Sequence, residues 1–218
     1  MKEQHDITGA DILARNYPKP EWIAKNLVPA KGVTVLTGSP KFGKSLMALD
    51  LAASCATGRP AWGGVETAKT GALYLSLLDG EPSLGRRLRA QGFADPGEWV
   101  PMIFHFDVPK LEDGFIKWLE AALNRHPATG LVVIDPVESV SAGSIAGALA
   151  ALRQAAERMG VAVLAVFQRP EAQDHADTCL SLEREDKGKG RLRLTGRDTA
   201  EQDFPMTFDK TALRWRLG

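Results

Sequence analysis

The sequence is poor in cysteine and lacks any metal-ligand pattern. Only two cysteines occur in 218 residues, Cys55 and Cys179, far apart and each inside an apolar pattern. The polar start MKEQHD is not a secretion signal, so buried free thiols in a reducing compartment are favoured over a disulfide or a metal site. The four histidines are scattered and show no metal-ligand spacing.

The chain also lacks an excess of charge and a long hydrophobic run. Its 27 basic and 27 acidic residues balance, so net charge alone predicts neither a nucleic-acid nor a membrane partner. No apolar stretch is long enough to span a bilayer. We therefore expect a cytoplasmic protein with no membrane partner.

What the sequence does contain is a regular alternation of apolar strand patterns with helix patterns. The strand patterns cover residues 32–38, 72–78, 102–106, 131–135 and 161–167. The helix patterns cover residues 45–58, 82–92, 113–126 and 143–160. Three shorter strand patterns follow Asp177. The alternation predicts an α/β fold, a mostly parallel twisted sheet flanked by helices, with a C-terminal antiparallel extension.

The first thirty residues differ from the rest in composition. They are polar and are interrupted by Pro18, Pro20 and Pro29. This composition predicts an irregular N-terminal arm over residues 1–30 and one domain over residues 31–218.

The strongest motif is GSPKFGKS, from Gly38 to Ser45, which matches G-x-x-x-x-G-K-[ST]. It follows a predicted strand and opens a predicted helix, where backbone N–H groups and the helix N-terminus can cradle phosphates. The predicted nucleotide-binding residues are Gly38, Ser39, Pro40, Lys41, Phe42, Gly43, Lys44, Ser45 and Leu46. Lys44 would reach the β- and γ-phosphates of ATP, and Ser45 would ligate Mg²⁺. The bulky Phe42 suits the cradle if its side chain points away from it.

A second candidate is Asp135, at the end of the strand pattern LVVID. Ligands bind α/β sheets at the carboxyl ends of their strands. Together with the P-loop, Asp135 is predicted to hold Mg²⁺ with Ser45. The alternative is an aspartate that starts a turn before Pro136.

Four stretches together resemble the RecA-like ATPases, and within them the plasmid RepA-type hexameric replicative helicases. They are GSPKFGKS, the strand ALYLSL with its following DGE, LVVIDP, and the late LTGRD at residues 194–198. The resemblance implies a RecA-type core, ATP with Mg²⁺, and a homo-oligomeric, hexameric ring with the nucleotide at a subunit interface. It also implies a helicase-like motor acting on single-stranded DNA in replication.

The resemblance further implies two catalytic residues. Arg197 matches an arginine that reaches the γ-phosphate of the neighbouring subunit; its alternative is a surface arginine paired with Asp198. Gln168 lies where relatives carry a residue that senses the γ-phosphate; its alternative is an ordinary polar residue at a strand end.

One departure from the resemblance bears directly on catalysis. Relatives usually carry a glutamate where this chain has Leu78, and leucine cannot accept a proton from the attacking water. Asp79 and Glu81 are the remaining acidic candidates, although Asp79 points to the opposite face if the strand continues and Glu81 also suits a helix N-terminus. Two functions therefore stay open: an ATPase, or a nucleotide-binding oligomeric module with weak or no hydrolysis.

A second departure bears on DNA binding. Two loops that face the ring channel in relatives are short here, and the basic residues between Arg184 and Arg193 alternate with leucine. That pattern favours a solvated face over a DNA track.

Overall fold

A nine-stranded sheet forms the centre of the computed structural model, which describes residues 7–16, 20–95, 97, 99–186, 188–197 and 200–218. Its strands are β3 (Gly32–Gly38), β4 (Gly71–Ser76), β5 (Met102–His105), β6 (Thr129–Asp135), β7 (Ala162–Val166), β8 (Thr178–Arg184), β9 (Lys189–Gly196), β10 (Gln202–Asp209) and β11 (Arg214–Leu217). Two earlier strands, β1 (Trp22–Ala24) and β2 (Val28–Pro29), form a separate two-stranded sheet. The order across the sheet is β11-β10-β9-β8-β3-β7-β6-β4-β5. The six strands β8, β3, β7, β6, β4 and β5 are parallel to one another. Strands β9, β10 and β11 extend the sheet beyond β8, and each is antiparallel to the strand before it.

Helices cover both faces of the parallel part. They are α2 (Lys44–Thr57), α3 (Glu81–Ala90), α4 (Phe115–Arg125) and α5 (Ile145–Met159), with short 3₁₀ helices at Val137–Ser139 and Pro170–His175. A further short helix, α1 (Gly9–Ala14), has no buried residue and does not cover the sheet. Alternate strand residues enter two core clusters: Leu36 packs with α2 and α3, whereas Val35 packs with α4 and α5. The strands are apolar on both faces because each face is covered. The predicted α/β fold with its antiparallel extension is confirmed.

The described residues of the N-terminal arm, 7–16 and 20–30, contain a helix and two strands, so the prediction that the arm is irregular is wrong there. Thr8 caps α1 in a capping box with Asp11. Strands β1 and β2 form a small antiparallel pair whose Ile23 and Val28 are buried in the core. Apolar burial outweighs the prolines here, since Pro29 ends a strand that is paired on one side only. The division of the chain at residue 30 stays a prediction.

Strand β4 is shorter than its apolar pattern. It ends at Ser76, whose hydroxyl donates to the carbonyl of Asp79 at 2.8 Å and so turns the chain over residues 77–79. Asp79 was expected on the opposite face from Leu78 only if the strand continued, and β4 does not continue to either residue.

The structure places both cysteines in the core as free thiols. Cys55 and Cys179 are free and buried, and burial raises the pKa of each thiol to about 12. Among the residues that the structure describes, no helix combines the length and the apolar character needed to cross a bilayer.

The last strand is tied to the P-loop helix by a buried ion pair. Asp50 on α2 is fully buried, and its Oδ2 accepts from Nε of Arg214 on β11 at 3.0 Å and from the Trp62 backbone N–H at 3.0 Å. Nη2 of Arg214 lies 2.6 Å from Oδ1 and completes the ion pair. Burial raises the pKa of Asp50, and Arg214 opposes this effect. Arg214 therefore keeps a buried charge compensated.

We expect Arg214→Ala to lower the free energy of unfolding by about 3–5 kcal/mol, because the variant leaves a buried carboxylate without its cation. Arg216→Ala is the matched control. Arg216 lies on the same strand as Arg214, and its pair with Asp209 of β10 is largely exposed, so the loss should stay below about 1 kcal/mol. Urea unfolding measures both. Equal losses in the two variants would contradict the importance of the buried pair.

Candidate nucleotide-binding site

The P-loop connects β3 to α2, and two of its glycines have backbone angles that other residues avoid. Gly38 has φ 130° and Gly43 has φ 89°. A Cβ on Gly38 would lie 2.0 Å from the carbonyl oxygen of Leu182, and one on Gly43 would lie 2.9 Å from Nε1 of Trp215. Glycine at both positions thus lets the loop close around a small cradle at the N-terminus of α2.

The side chain of Phe42 points away from the cradle. Its ring packs edge-to-face on Trp215 with centroids 4.8 Å apart, and the guanidinium of Arg184 lies 5.6 Å from its centroid. Trp215 also donates from Nε1 to the carbonyl of Phe42 at 3.2 Å. Strand β11 therefore packs against the P-loop through Trp215 and supports it on the side away from the cradle.

Lys44 is buried at the centre of the cradle. Its Nζ donates to the carbonyls of Gly38 at 2.9 Å and Ser39 at 3.1 Å. Burial lowers the pKa of Lys44, while the charges of Asp135 and Glu138 oppose that shift. An ammonium has three N–H donors, so this lysine can still offer one to a phosphate oxygen without leaving the loop.

Ser45 and Asp135 meet where α2 begins and β6 ends. The Ser45 hydroxyl donates to Oδ1 of Asp135 at 3.1 Å, and the buried Tyr74 hydroxyl donates to Oδ2 at 2.7 Å. Burial raises the pKa of Asp135 above its ordinary value, and these two hydrogen bonds oppose part of that rise. One carboxylate and one hydroxyl fit Mg²⁺, which takes few protein oxygens and completes its shell with phosphates and water.

These groups line one cavity of about 740 Å³, a volume typical of small-molecule sites. Its P-loop wall consists of Pro40, Lys41, Phe42, Gly43, Lys44, Ser45 and Leu46. The remaining walls are formed by Leu78, Asp79, Arg87, Asp135, Val166, Gln168, Arg169 and Leu213. The structure thus brings most of the predicted site residues together.

Asp79 and Glu81, the two acidic candidates that follow Leu78, differ in whether they line the P-loop cavity. Leu78 lines the cavity with its side chain 69% exposed. Asp79 also lines it, but both of its carboxylate oxygens accept from Arg87, at 2.6 and 3.0 Å. Glu81 begins α3 and lines a separate groove, so the structure does not bring it to the P-loop cavity. Of Asp79 and Glu81, only Asp79 lines the P-loop cavity, and its carboxylate is already paired with Arg87.

Sequence reasoning missed Glu138, which holds the Gln168 turn in place. Its Oε1 accepts from the backbone N–H groups of Gln168 at 2.9 Å and Arg169 at 3.2 Å. Its Oε2 is buried and has no hydrogen-bond partner among the described residues. The available signal was an acid three residues after Asp135, in DPVES.

Arg197 lies away from the cavity. Its side chain is 78% exposed and its Nε is 3.2 Å from Asp177. The alternative partner, Asp198, lies outside the described residues. The arginine-finger role of Arg197 stays a prediction.

Arg191 and Arg193 of β9 are ion-paired on the surface. Arg191 donates to Glu185 at 2.9 Å and to Asp203 at 3.3 Å, and Arg193 donates to Asp203 at 3.0 Å. Paired cations on an exposed strand favour the solvated-face interpretation over a DNA track.

Tyr74 orients the carboxylate of Asp135, which leads to a test. We expect Tyr74→Phe to weaken Mg²⁺-dependent nucleotide binding by about 10-fold or more, because outer-shell partners fix the ligating group. Titration of MgCl₂ at fixed nucleotide measures the effect. Binding without Mg²⁺ should stay unchanged; an equal loss with and without Mg²⁺ would indicate a general packing defect instead.

Fold and site together define a RecA-like P-loop ATPase domain. The ATPase domain of G40P superposes with a TM-score of 0.67 at 16% identity, covering 86% of this chain and 84% of that one. A KaiC-like protein, PH0186 from Pyrococcus horikoshii, superposes with a TM-score of 0.61 at 15% identity, covering 90% and 93%. At this identity the likeness concerns the fold.

The chain belongs to the AAA domain family, whose model matches residues 3–174. This match includes the P-loop, Asp135 and Gln168, and it stops before β8. A search of curated protein sequences found no significant match. The predicted membership of the RecA-like P-loop ATPases is confirmed.

Proposed function

We propose that this chain binds ATP with Mg²⁺ in the P-loop cavity and acts as a slow, self-assembling ATPase. The observation that carries the proposal is the Ser45–Asp135 contact of 3.1 Å beside the buried Lys44. Lys44 would hold the β- and γ-phosphates, while Ser45 and Asp135 would hold the metal. Mg²⁺ would neutralise phosphate charge that develops during hydrolysis.

A single subunit should turn ATP over slowly, because the cavity that contains Lys44 has no free general base at Leu78 or Asp79. Leu78 cannot accept a proton, and Asp79 is paired with Arg87. Gln168 can orient a water molecule through its side-chain amide but is not a base at neutral pH. Of the cavity-lining residues, none supplies an unpaired carboxylate beside the γ-phosphate position except the metal-binding Asp135.

Self-assembly is supported by the position of Arg197. An exposed arginine outside its own cavity is suited to reach the cavity of another copy, where an arginine finger stabilises charge in the transition state. We propose that copies assemble with Arg197 of one facing the P-loop of the next. The resemblance to hexameric helicases points to a ring.

Action on single-stranded DNA and nucleotide-controlled assembly are the two candidate outputs of such a ring. The resemblance supports a helicase-like motor. Leu78 and the ion-paired surface of β9 favour an assembly module, in which nucleotide occupancy, rather than fast turnover, sets the oligomeric state.

Two measurements on the same samples distinguish these outputs. Light scattering reports the mass with and without MgATP, and phosphate release reports turnover with and without an oligo(dT) strand. The assembly module predicts a MgATP-dependent rise in mass and slow turnover that DNA leaves unchanged. Turnover that rises severalfold with DNA would support the motor instead.

Arg197→Ala tests the proposed arginine finger. The variant should bind MgATP normally, but its turnover should not rise when the copies assemble. A mass that does not respond to MgATP, in a chain that binds it, would contradict the proposed assembly.

A further inference from the structure

The turn that follows β7 lies between the P-loop and the predicted metal-binding carboxylate. Strand β7 lies between β3 and β6 in the sheet and is parallel to both. The turn at Gln168 and Arg169 therefore leaves the sheet between the P-loop, which follows β3, and Asp135, which ends β6. Both turn residues line the P-loop cavity. Sequence reasoning assigned a role to Gln168 and none to Arg169.

The backbone of this turn is held from two sides. Oε1 of Glu138 accepts from the backbone N–H groups of Gln168 at 2.9 Å and Arg169 at 3.2 Å. The carbonyl of Arg169 accepts from the hydroxyl of Thr37 at 3.0 Å, and Thr37 is the residue before Gly38 of the P-loop. The backbone of Arg169 is thus fixed relative to the P-loop, so its side chain starts from a preorganised position.

The side chain of Arg169 is available to a ligand in the cavity. It is 51% exposed, and the nearest acidic atom within the described part of the chain is Oε1 of Glu138, 3.7 Å from Nε. That distance is too long for a hydrogen bond. Arg87, the other arginine among the lining residues, instead donates to both carboxylate oxygens of Asp79. Arg169 therefore keeps the N–H donors with which a guanidinium binds phosphate oxygens.

The place of Arg169 beside Asp135 indicates which phosphate it would meet. Mg²⁺ held by Ser45 and Asp135 would bridge oxygens of the β- and γ-phosphates. A cation on the neighbouring strand end therefore lies at the terminal end of the triphosphate and not at the end that carries the sugar.

We propose that Arg169 contacts the γ-phosphate of ATP in the cavity of its own chain and is a catalytic residue there. It stabilises the negative charge on the γ-phosphate oxygens in the transition state, a task that needs no proton acceptor. The assignment rests on the proposed function, because it takes the β- and γ-phosphates to lie at Lys44. It differs from the role proposed for Arg197, which acts on the cavity of another copy.

Affinities for MgATP and MgADP test the contact, since only ATP carries a γ-phosphate. Arg169→Ala should weaken MgATP binding by about tenfold and leave MgADP binding unchanged. Arg169→Lys keeps a charge without the planar fork, so it should recover part of the MgATP affinity. Competition with a fluorescent ADP analogue measures both affinities. Single-turnover phosphate release should fall by about 100-fold or more in Arg169→Ala.

Arg158→Ala is the matched control. The side chain of Arg158 is 52% exposed and pairs with Glu120, and it lies in the last turn of α5, at the opposite edge of the sheet from the turn after β7. This variant should change neither affinity nor turnover. Each measurement is made at protein concentrations below and above assembly. The effect of Arg169→Ala should be present at both, because the residue acts within its own chain.

Circular dichroism checks that each variant is folded, and Arg169→Lys decides if Arg169→Ala is not. A ratio of MgATP to MgADP affinity that neither folded variant changes would overturn the assignment. An equal loss for both nucleotides would indicate a structural role for Arg169 and would overturn it as well, as would an effect confined to the assembled protein. Failure of the wild-type chain to bind either nucleotide would instead overturn the proposed function itself.

Discussion

Lys44→Ala is expected to lower the affinity for MgATP by about 100-fold or more. A charge-assisted hydrogen bond contributes about 1.5–3 kcal/mol, and the lysine would contact both the β- and the γ-phosphate. The buried position of Lys44 strengthens the effect, because screening by water is weak there. Calorimetry or competition with a fluorescent ATP analogue measures the change.

Lys31→Ala is the matched control for this experiment. Lys31 is an exposed lysine at the opposite end of β3, so its loss should leave the affinity unchanged. The Lys44 variant should also remain folded, since it removes a buried charge and not a packed apolar group. Nucleotide affinity that survives Lys44→Ala undiminished would contradict the assignment of the phosphate cradle.

Leu78→Glu is expected to raise ATP turnover by about 10²–10⁴-fold, the usual contribution of a positioned general base. The side chain of Leu78 is 69% exposed in the cavity, so a carboxylate can replace it without a buried charge or a lost core contact. The new carboxylate would face the γ-phosphate position from the turn after β4. Single-turnover phosphate release measures the chemical step directly.

Leu78→Gln separates proton acceptance from polarity at this site. Glutamine has nearly the shape of glutamate but is not a base, so its turnover should stay near that of the wild-type chain. Comparable stimulation by glutamine and glutamate would indicate water positioning and not proton transfer. Fast wild-type turnover that Leu78→Glu does not change would mean that another group, such as Asp79 released from Arg87, already serves as the base.

The parts of the site that could be predicted are those whose signal is local. GSPKFGKS begins where the apolar strand GVTVLTG ends, and LVVID is an apolar strand that ends in Asp135. The parallel fold places both strand ends at one edge of the sheet. The side chains of Lys44, Ser45 and Asp135 meet for that reason. Their proximity follows from strand order and not from any property of the residues alone.

The parts that could not be predicted depend on contacts between distant segments. Nothing near Asp50 in the sequence points to Arg214, and nothing near Phe42 points to Trp215. The sequence also did not indicate that β4 ends at Ser76, because a serine hydroxyl and not a glycine or proline turns the chain there. Glu138 was missed because an acid in DPVES does not by itself indicate that its carboxylate accepts from the backbone N–H groups of Gln168 and Arg169.

The dependence of the P-loop on β11 has a consequence for how this domain forms during translation. Phe42 and Trp215 are 173 positions apart, and Asp50 and Arg214 are 164 apart. Such contacts form late, since their loop closure must await distant residues. A ribosome will have made the whole parallel sheet before the support beneath the P-loop leaves the exit tunnel. Nascent chains should therefore acquire ATP binding abruptly, near the completion of β11, and not gradually as strands accumulate.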